Sequence, residues 1–186
     1  SLKLYKNYRE DTVFICSADS YIKNEEEFVK LIREAESIIA QYKGKVLLIG
    51  VLPNYIETGY GYIRLGTQLG QNYFHGDGFV EKPDHARAQE FIAEGKYLWN
   101  TLLCVSHIET MINLYRTHWG DGFSVAEQIV SMNSHDDDLK RNKYSSLQNT
   151  SIDYALLEKT DEILVLKSSM EWCDIGHWRS FQRLQS

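Results

Sequence analysis

The chain has 186 residues, 43% of them hydrophobic, and a formal net charge of −6 at pH 7, which suits one domain with its own core. The acidic balance and the lack of a Lys/Arg cluster argue against binding to nucleic acid or to a membrane surface. The run VLLIGVL at 46–52 is too short to span a bilayer. Three widely spaced cysteines without a CxxC pattern predict reduced thiols in a cytoplasmic protein.

The first third of the chain predicts a strand, a helix and a second strand. Residues 12–19 are β-branched and apolar and end in a carboxylate. Apolar residues at helical spacing follow within 24–44, and Asn24 and Glu27 stand in the positions of a capping box. KVLLIGV at 45–51 then predicts a strand that is buried on both faces. Together these segments form a βαβ unit, so we expect a mostly parallel sheet.

The middle of the chain changes to short alternating segments separated by glycine. Between Tyr60 and Glu81 this pattern predicts an antiparallel insertion. Asp84 begins the next predicted helix and Gly95 ends it, and TLLCV at 101–105 predicts another strand.

The last third predicts further helices around a polar loop and a strand, without a repeat or linker that would divide the domain. Ser106 and Glu109 stand in capping-box positions of one such helix. The other predicted elements are a helix at 124–132, a loop at 133–143, a helix from Ser151, a strand at 162–168 and a terminal helix at 175–185.

Two remote carboxylates are candidate metal ligands. Asp19 lies where a predicted strand ends, and ligands of open α/β sheets bind at that edge. Asp174 lies between the last predicted strand and the last helix. The ordinary alternatives are a turn residue for Asp19 and a helix N-cap for Asp174. If both acids converge, they suit Mg²⁺, which is held by one or two carboxylates together with substrate phosphates and water.

A charged pair, Glu81 and Lys82, interrupts the pattern before Pro83. An ammonium can hold a phosphate, and a carboxylate can accept hydrogen bonds from sugar hydroxyls. A solvated surface pair is the alternative.

We interpret the acidic run at 136–138 as a solvated loop, and the spacing of the histidines predicts no zinc site.

Six segments, in this order, resemble the sugar-nucleotide pyrophosphorylase family, and most closely its mannose-1-phosphate guanylyltransferase branch. They are ICSAD at 15–19, ETGYGYI at 57–63, FVEKPD at 79–84, YLWNT at 97–101, SIDYALLEKT at 151–160 and WCDIGHW at 172–178. The resemblance implies a Rossmann-like α/β nucleotide-diphospho-sugar transferase fold, with a mixed, mostly parallel sheet and an antiparallel insertion, incomplete at the N-terminus. It also implies that GTP and mannose 1-phosphate react with Mg²⁺ to give GDP-mannose and pyrophosphate. Another hexose 1-phosphate nucleotidyltransferase is the alternative within the family.

The resemblance also implies roles for residues in these segments, all of them contacts to the metal or to the sugar phosphate. Asp19 and Asp174 would hold the metal, Lys82 the phosphate, Glu81 and Asn100 sugar hydroxyls, and Asp153 the sugar end. Gly61 would offer its backbone to the sugar, and Tyr60 and Tyr62 would shape the sugar pocket.

The chain departs from the family pattern at several places. The family begins with a Gly-rich loop, carrying an Arg and a following Lys, that grips the nucleoside triphosphate, and no such loop precedes Asp19. Ser20 stands where the family has His, and Cys173 and His177 stand where Ser is more common. WNTLL at 99–103 replaces Trp-Asn-Ser-Gly, which removes a glycine near the sugar pocket.

These departures lead to three expectations. We expect the chain to be the sugar-phosphate and metal-binding portion of such an enzyme, with little or no transferase activity alone. A non-catalytic sugar-nucleotide-binding or assembly subunit is the alternative from another class. We also expect an exposed sheet edge to favour self-association into a homo-oligomer.

Overall fold

The computed structural model describes residues 2–132, 136–176, 178, 180 and 182. Helices cover both faces of a six-stranded sheet, and a two-stranded sheet lies beside it. The elements in chain order are α1 (Leu2–Tyr5), β1 (Thr12–Ile15), β2 (Ser20–Ile22), α2 (Glu25–Gln41), β3 (Val46–Val51), β4 (Gly61–Gln68), β5 (Tyr73–Val80), α3 (His85–Glu94), β6 (Tyr97–His107), α4 (Ile108–His118), α5 (Asp121–Ser131), α6 (Asp137–Ser145), α7 (Ile152–Ala155), a 3-10 turn (Leu157–Lys159), β7 (Ile163–Ser168) and β8 (Trp172–Asp174).

The large sheet has the strand order β1-β6-β3-β7-β5-β4, and β4 also pairs with β6. The pair β3–β7 is parallel, and the other pairs recorded in this sheet are antiparallel. The predicted mixed α/β class is therefore confirmed, but parallel pairing is rarer than expected. β1 and β3 do run in the same direction, as the βαβ pattern predicts, but β6 lies between them and opposes both.

Strand β6 organises the sheet because it has different partners along its length. Its first residues pair with β4, with Asn100 opposite Gly61, and its last residues pair with β1. Its other edge pairs with β3, where the register shifts between Leu48 and Gly50. Leu102 lies at this irregularity with a φ of 55°. The predicted strand at 101–105 is thus only the second half of a longer, bulged strand.

The small sheet joins two distant parts of the chain. β2 and β8 are antiparallel, with Ser20 opposite Asp174. The backbone N–H of Ile175 donates to the carbonyl of Asp19 at 2.8 Å, and Trp172 Nε1 donates to Ser20 Oγ at 3.1 Å. Strands of three residues are too short to leave a periodic signal, so sequence patterns missed this sheet.

The core consists of two apolar layers, one on each face of the large sheet. Leu47 and Ile49 of β3 contribute to the layer under α2 and α3, whereas Val46 and Leu48 contribute to the layer under α4 and the 3-10 turn. This alternation explains the continuous apolar run of β3, which is buried on both faces as predicted.

The two helix starts predicted from Asn24 and Asp84 are confirmed. Asn24 Oδ1 accepts the N–H of Glu27 at 3.2 Å, and Asp84 Oδ1 accepts the N–H of Arg87 at 2.9 Å. Gly95 ends α3 in the left-handed conformation, with a φ of 67°. Such C-caps satisfy the last carbonyls of a helix where a Cβ would be strained.

The capping box predicted before α4 is wrong. Ser106 belongs to β6, and its hydroxyl donates to the carbonyl of Lys45 at 2.9 Å. Glu109 instead forms an ion pair with Arg9. The N-cap position of α4 is His107, which makes no side-chain capping bond.

The polar segment predicted as a loop contains α6, Asp137–Ser145. Charge pairs three residues apart support this helix, namely Asp137 with Lys140 and Asp138 with Arg141. Residues 133–135 and most of the predicted terminal helix at 175–185 lie outside the described residues. In the part of the chain that the structure describes, no helix combines the length and apolarity needed to cross a bilayer.

Candidate functional site

A polar cavity of about 190 Å³ lies between the small sheet, the start of β4, the end of β5 and the bulge of β6. All residues assigned by the resemblance, except Tyr62, line this cavity. Its lining residues are Ser17, Asp19, Gly59, Tyr60, Gly61, Glu81, Lys82, Asn100, Thr101, Leu102, Asp153, Trp172 and Asp174.

The two candidate metal ligands meet at one end of this cavity. Asp19 precedes β2 and Asp174 ends β8, so the pairing of these strands sets the two residues side by side. The hydrogen bond from the Ile175 N–H to the Asp19 carbonyl fixes the two backbones at this point. Two residues that are remote in sequence therefore offer carboxylate oxygens to the same space.

The structure gives a reason for glycine at position 61 that the sequence did not predict. A Cβ at this position would lie 2.6 Å from Glu81 Oε2 and 2.8 Å from Phe79 Cζ. The missing side chain therefore makes room first for the Glu81 carboxylate, whose side chain is 8% exposed. Gly61 still lines the cavity, but the space above it is partly filled by the protein itself.

Glu81 and Lys82 form a tight turn whose backbone is held from two sides. Lys82 has a φ of 47°, which is a strained value for a residue with a Cβ. Its N–H donates to the carbonyl of Tyr60 at 3.3 Å, and the N–H of Glu81 donates to Glu158 Oε1 at 3.1 Å. Lys82 Nζ lies 3.2 Å from Glu81 Oε1, so the pair borders the cavity as one unit.

On the opposite wall of the cavity, Asn100 links β6 to Asp153 of α7 through a hydrogen bond. Its Nδ2 donates to Asp153 Oδ1 at 3.0 Å, and its Oδ1 accepts the N–H of Leu102 at 3.1 Å. Asn100 and Asp153 are 8% and 7% exposed. An amide has two N–H donors and two acceptor positions, so Asn100 keeps one of each for a ligand.

Burial changes the protonation of the acids around Lys82. Burial, followed by the nearby Asp153 charge, raises the pKa of Glu81, although Lys82 opposes this change. Burial also raises the pKa of Asp153. The hydrogen bond with Glu81 raises the pKa of Lys82, which therefore stays a cation at neutral pH.

The two predicted aromatic residues have different surroundings. Tyr60 lines the cavity, and its ring lies edge-on to Trp99 and Trp172, with centroid distances of 5.4 and 5.1 Å. Tyr62 is fully buried in the core, and its hydroxyl donates to the carbonyl of Glu57 at 2.8 Å. The predicted role of Tyr62 in the sugar pocket is therefore not supported by its position. Strand alternation gives the reason, since Tyr62 points to the face opposite Gly61.

Sequence reasoning missed several residues at this site. Ser17, Thr101, Leu102 and Trp172 line the cavity but were not assigned roles. Ser20, which departs from the family pattern, bonds Ser17 Oγ at 2.8 Å and accepts from Trp172 Nε1. The position of Ser17, two residues before Asp19 at the same strand end, was the signal that could have indicated it.

The charges of the cavity fit a divalent cation. Of the described residues that line it, Asp19, Glu81, Asp153 and Asp174 are acidic, and Lys82 is the one permanent cation. A phosphate entering this acidic space needs more positive charge than Lys82 supplies. Oxygen donors from Asp19 and Asp174 suit Mg²⁺, which keeps water and substrate phosphate as its other ligands. No group of three or more His, Cys, Asp or Glu side chains in the described ranges is arranged as a protein-only metal site.

Comparisons with known proteins show the family of this chain. A family model described as Nucleotidyl transferase matches residues 1–186. The chain is 33% identical over 171 residues to mannose-1-phosphate guanylyltransferase RfbM of Salmonella typhimurium, covering 90% of this chain and 35% of the relative. It is 33% identical over 185 residues to alginate biosynthesis protein AlgA of Pseudomonas aeruginosa, covering 97% of this chain and 38% of the relative.

A solved structure shows the same fold. The chain is similar to a mannose-1-phosphate geranyltransferase from Thermus thermophilus, with a TM-score of 0.82 and 32% identity over 95% of this chain and 50% of that one. The chain spans little more than a third of the length of the two curated relatives. The resemblance and the nucleotide-diphospho-sugar transferase fold expected from the sequence are confirmed, and the chain belongs to the nucleotidyl transferase family.

Proposed function

We propose that this chain carries the sugar-phosphate and Mg²⁺-binding portion of a mannose-1-phosphate guanylyltransferase-like enzyme. The observation that carries this proposal is the convergence of Asp19, Asp174, Glu81 and Lys82 on one cavity. In the proposed reaction a phosphate oxygen of mannose 1-phosphate attacks the α-phosphorus of GTP. The bond from that phosphorus to the bridging oxygen breaks, and pyrophosphate leaves as GDP-mannose forms.

The residues of the cavity mainly position anions, as this type of transfer requires. Lys82 would pair with the phosphate of the sugar, which is already an anionic nucleophile and needs no general base. Glu81 and Asp153 would accept hydrogen bonds from sugar hydroxyls, and Asn100 would hold Asp153 in place while donating its second N–H. Mg²⁺ bound by Asp19 and Asp174 would supply positive charge next to the phosphates.

Binding of mannose 1-phosphate with and without Mg²⁺, measured by calorimetry, tests this proposal. We expect binding to require Mg²⁺. We also expect the variants Asp19→Asn, Asp174→Asn and Lys82→Ala each to lower the affinity by tenfold or more, because removing a charged partner costs about 1.5–3 kcal/mol. Asp161→Asn and Lys30→Ala are matched controls, since both residues are exposed and do not line the cavity. Unchanged affinity in the three site variants would refute the proposal.

An assay of the isolated chain with GTP, Mg²⁺ and mannose 1-phosphate tests the expected lack of turnover. These 186 residues contain no Gly-rich loop with Arg and Lys for the triphosphate, so we expect binding of the sugar phosphate without measurable GDP-mannose formation. Robust turnover would show that the chain itself supplies the groups that stabilise the triphosphate.

Two alternatives remain testable with the same protein. Another hexose 1-phosphate would use the same Glu81 and Lys82, so equal thermal shifts with mannose and glucose 1-phosphates would remove the preference for mannose. A non-catalytic sugar-nucleotide-binding subunit is the second candidate function. Tight GDP-mannose binding that is independent of Mg²⁺ and unaffected by Asp174→Asn would support that subunit instead.

A further inference from the structure

Leu102 combines an unusual backbone with a position in the candidate site. Among the described residues, the structure gives two non-glycine residues a clearly positive φ, Lys82 and Leu102, and both line the same cavity. A residue with a Cβ rarely adopts this conformation, which persists only where its surroundings enforce it. Glycine or asparagine would adopt it more easily.

The surroundings of Leu102 fix its backbone through neighbouring side chains. Asn100 Oδ1 accepts the Leu102 N–H at 3.1 Å. Thr101 Oγ1 donates to the carbonyl of Ile49 at 2.7 Å and accepts the N–H of Leu103 at 3.3 Å. The bulge is therefore held on both sides of Leu102, so the direction of its side chain is also restricted.

The side chain of Leu102 forms an apolar part of a polar wall. It is half-buried against the core layer under α4, and it also borders the cavity beside Asn100 and Asp153. Of the described residues lining this space, Leu102 alone has a branched aliphatic side chain. The cavity beside Leu102 holds about 190 Å³, so a shorter side chain at this position would leave more room for a ligand.

We infer that Leu102 is a specificity-determining residue, which limits the size of the sugar phosphate at the wall formed by Asn100 and Asp153. This inference rests on the proposed function, because it takes the ligand to be a hexose 1-phosphate. The apolar branch can make no hydrogen bond to a sugar hydroxyl, so its effect is exclusion by bulk. Removing the branch opens room for a substituent larger than a hydroxyl beside Asp153.

Calorimetry with mannose 1-phosphate and the bulkier N-acetylglucosamine 1-phosphate tests this inference on four proteins. They are the unchanged chain, Leu102→Gly, Leu102→Ala and Leu139→Ala. We expect the Gly and Ala variants to shift the affinity ratio at least tenfold toward the bulkier ligand, since steric discrimination of this kind reaches about 10–200-fold. Leu139→Ala is the matched control, because Leu139 is exposed on α6 and does not line the cavity, so this variant keeps the original ratio.

The outcomes separate this inference from the proposed function. An unchanged ratio in both the Gly and Ala variants overturns the role of Leu102, while binding of mannose 1-phosphate by the unchanged chain leaves the proposed function standing. If the unchanged chain binds neither ligand and Leu102→Gly binds one, the proposed function fails for this chain and Leu102 is shown to block the cavity. No binding by any of the four proteins overturns both. A gain of binding cannot come from misfolding, and circular dichroism confirms that the variants fold.

Discussion

At the scale of single residues, the candidate site concentrates four carboxylates around one lysine. Asp153 is buried, and its charge adds to burial in lowering the tendency of Glu81 to ionise. The pKa values of both acids are raised above those of the unfolded chain. The folded state therefore holds these protons more tightly, so the stabilisation is complete at low pH and is lost as pH rises through the raised values.

Asp153→Asn should make the protein more stable at neutral pH. The amide keeps an oxygen that can accept the hydrogen bond from Asn100 Nδ2 and removes the buried charge. We expect a melting temperature about 2–4 °C higher at pH 7, as for a change of about 1 kcal/mol in a domain of this size. The gain should vanish below the ordinary carboxyl range, about pH 4.

Thermal unfolding followed by fluorescence, from below the ordinary carboxyl range to mildly basic pH, checks this expectation. Asp161→Asn is the control, because Asp161 is exposed and should leave the pH profile unchanged. A variant at Asp153 that melts lower than the unchanged chain at pH 7, with the same pH slope, would contradict the cost assigned to the buried charge of Asp153.

Individual site residues were predictable where they follow a motif. Asp19, Lys82 and Asp174 lie in segments with a recognisable order, and the structure brings them to one cavity. Leu102 was not assigned a role, although it stands where the family pattern has a glycine, because a strand pattern does not reveal a left-handed residue. Tyr60 precedes β4 and lines the cavity, whereas Tyr62 lies within β4 and is fully buried in the core, a difference that their shared residue type does not reveal.

At the scale of elements, the 3-10 turn supports the Glu81–Lys82 turn. Glu158 lies in this 3-10 turn, and its Oε1 accepts the N–H of Glu81. Glu158→Ala should weaken mannose 1-phosphate binding about fivefold, because a typical hydrogen bond contributes about 1 kcal/mol and Lys82 is held in a strained conformation. Glu158→Gln keeps an acceptor oxygen and should bind as well as the unchanged chain, or better because a negative charge is lost.

Calorimetry of these two variants shows whether Glu158 affects ligand binding by supporting the Glu81–Lys82 turn or only through its negative charge. Glu90→Ala on the exposed surface of α3 is the control. If the Ala and Gln variants both bind more tightly than the unchanged chain, Glu158 acts through its charge alone and the positioning role is wrong. The NMR chemical shift of the Glu81 amide gives a readout that does not depend on the ligand.

Helices and strands were predicted correctly where apolar residues repeat over a long segment, and incorrectly where polar contacts stabilise the element. The periodic faces of α2 and β3 were sufficient to place both elements. α6 buries none of its residues and depends on pairs such as Asp137 with Lys140. Such charge pairs are also typical of solvated loops, so the sequence favoured the wrong alternative.

At the scale of the whole molecule, β1 leaves one edge of the large sheet available. In the described part of the chain, β1 pairs with β6 on one side and with no strand on the other. Unprotected strand edges recruit other strands. We therefore expect self-association that grows with protein concentration, measured by sedimentation velocity under reducing conditions.

Cys16→Ser is the control for this measurement, because the exposed thiol next to β1 could cross-link two chains. The variant should associate as the unchanged chain does. A single monomeric species at every concentration would show that this edge is protected in solution.

The order of strands in the large sheet could not be predicted from sequence. Helical and strand periods indicate which elements form, but the insertion of β6 between β1 and β3 depends on long-range pairing. The predicted share of parallel pairing was too high for this reason, although the mixed α/β class was predicted correctly.

The small sheet has a consequence for the order of folding. Ser20 and Trp172, which it joins, are 152 positions apart, and contacts of such high contact order form slowly because a long loop must close first. A partly folded intermediate can thus have a native large sheet while Asp19 and Asp174 are still separated. During synthesis on the ribosome, Asp19 and Asp174 can come together only after nearly all of these residues have emerged.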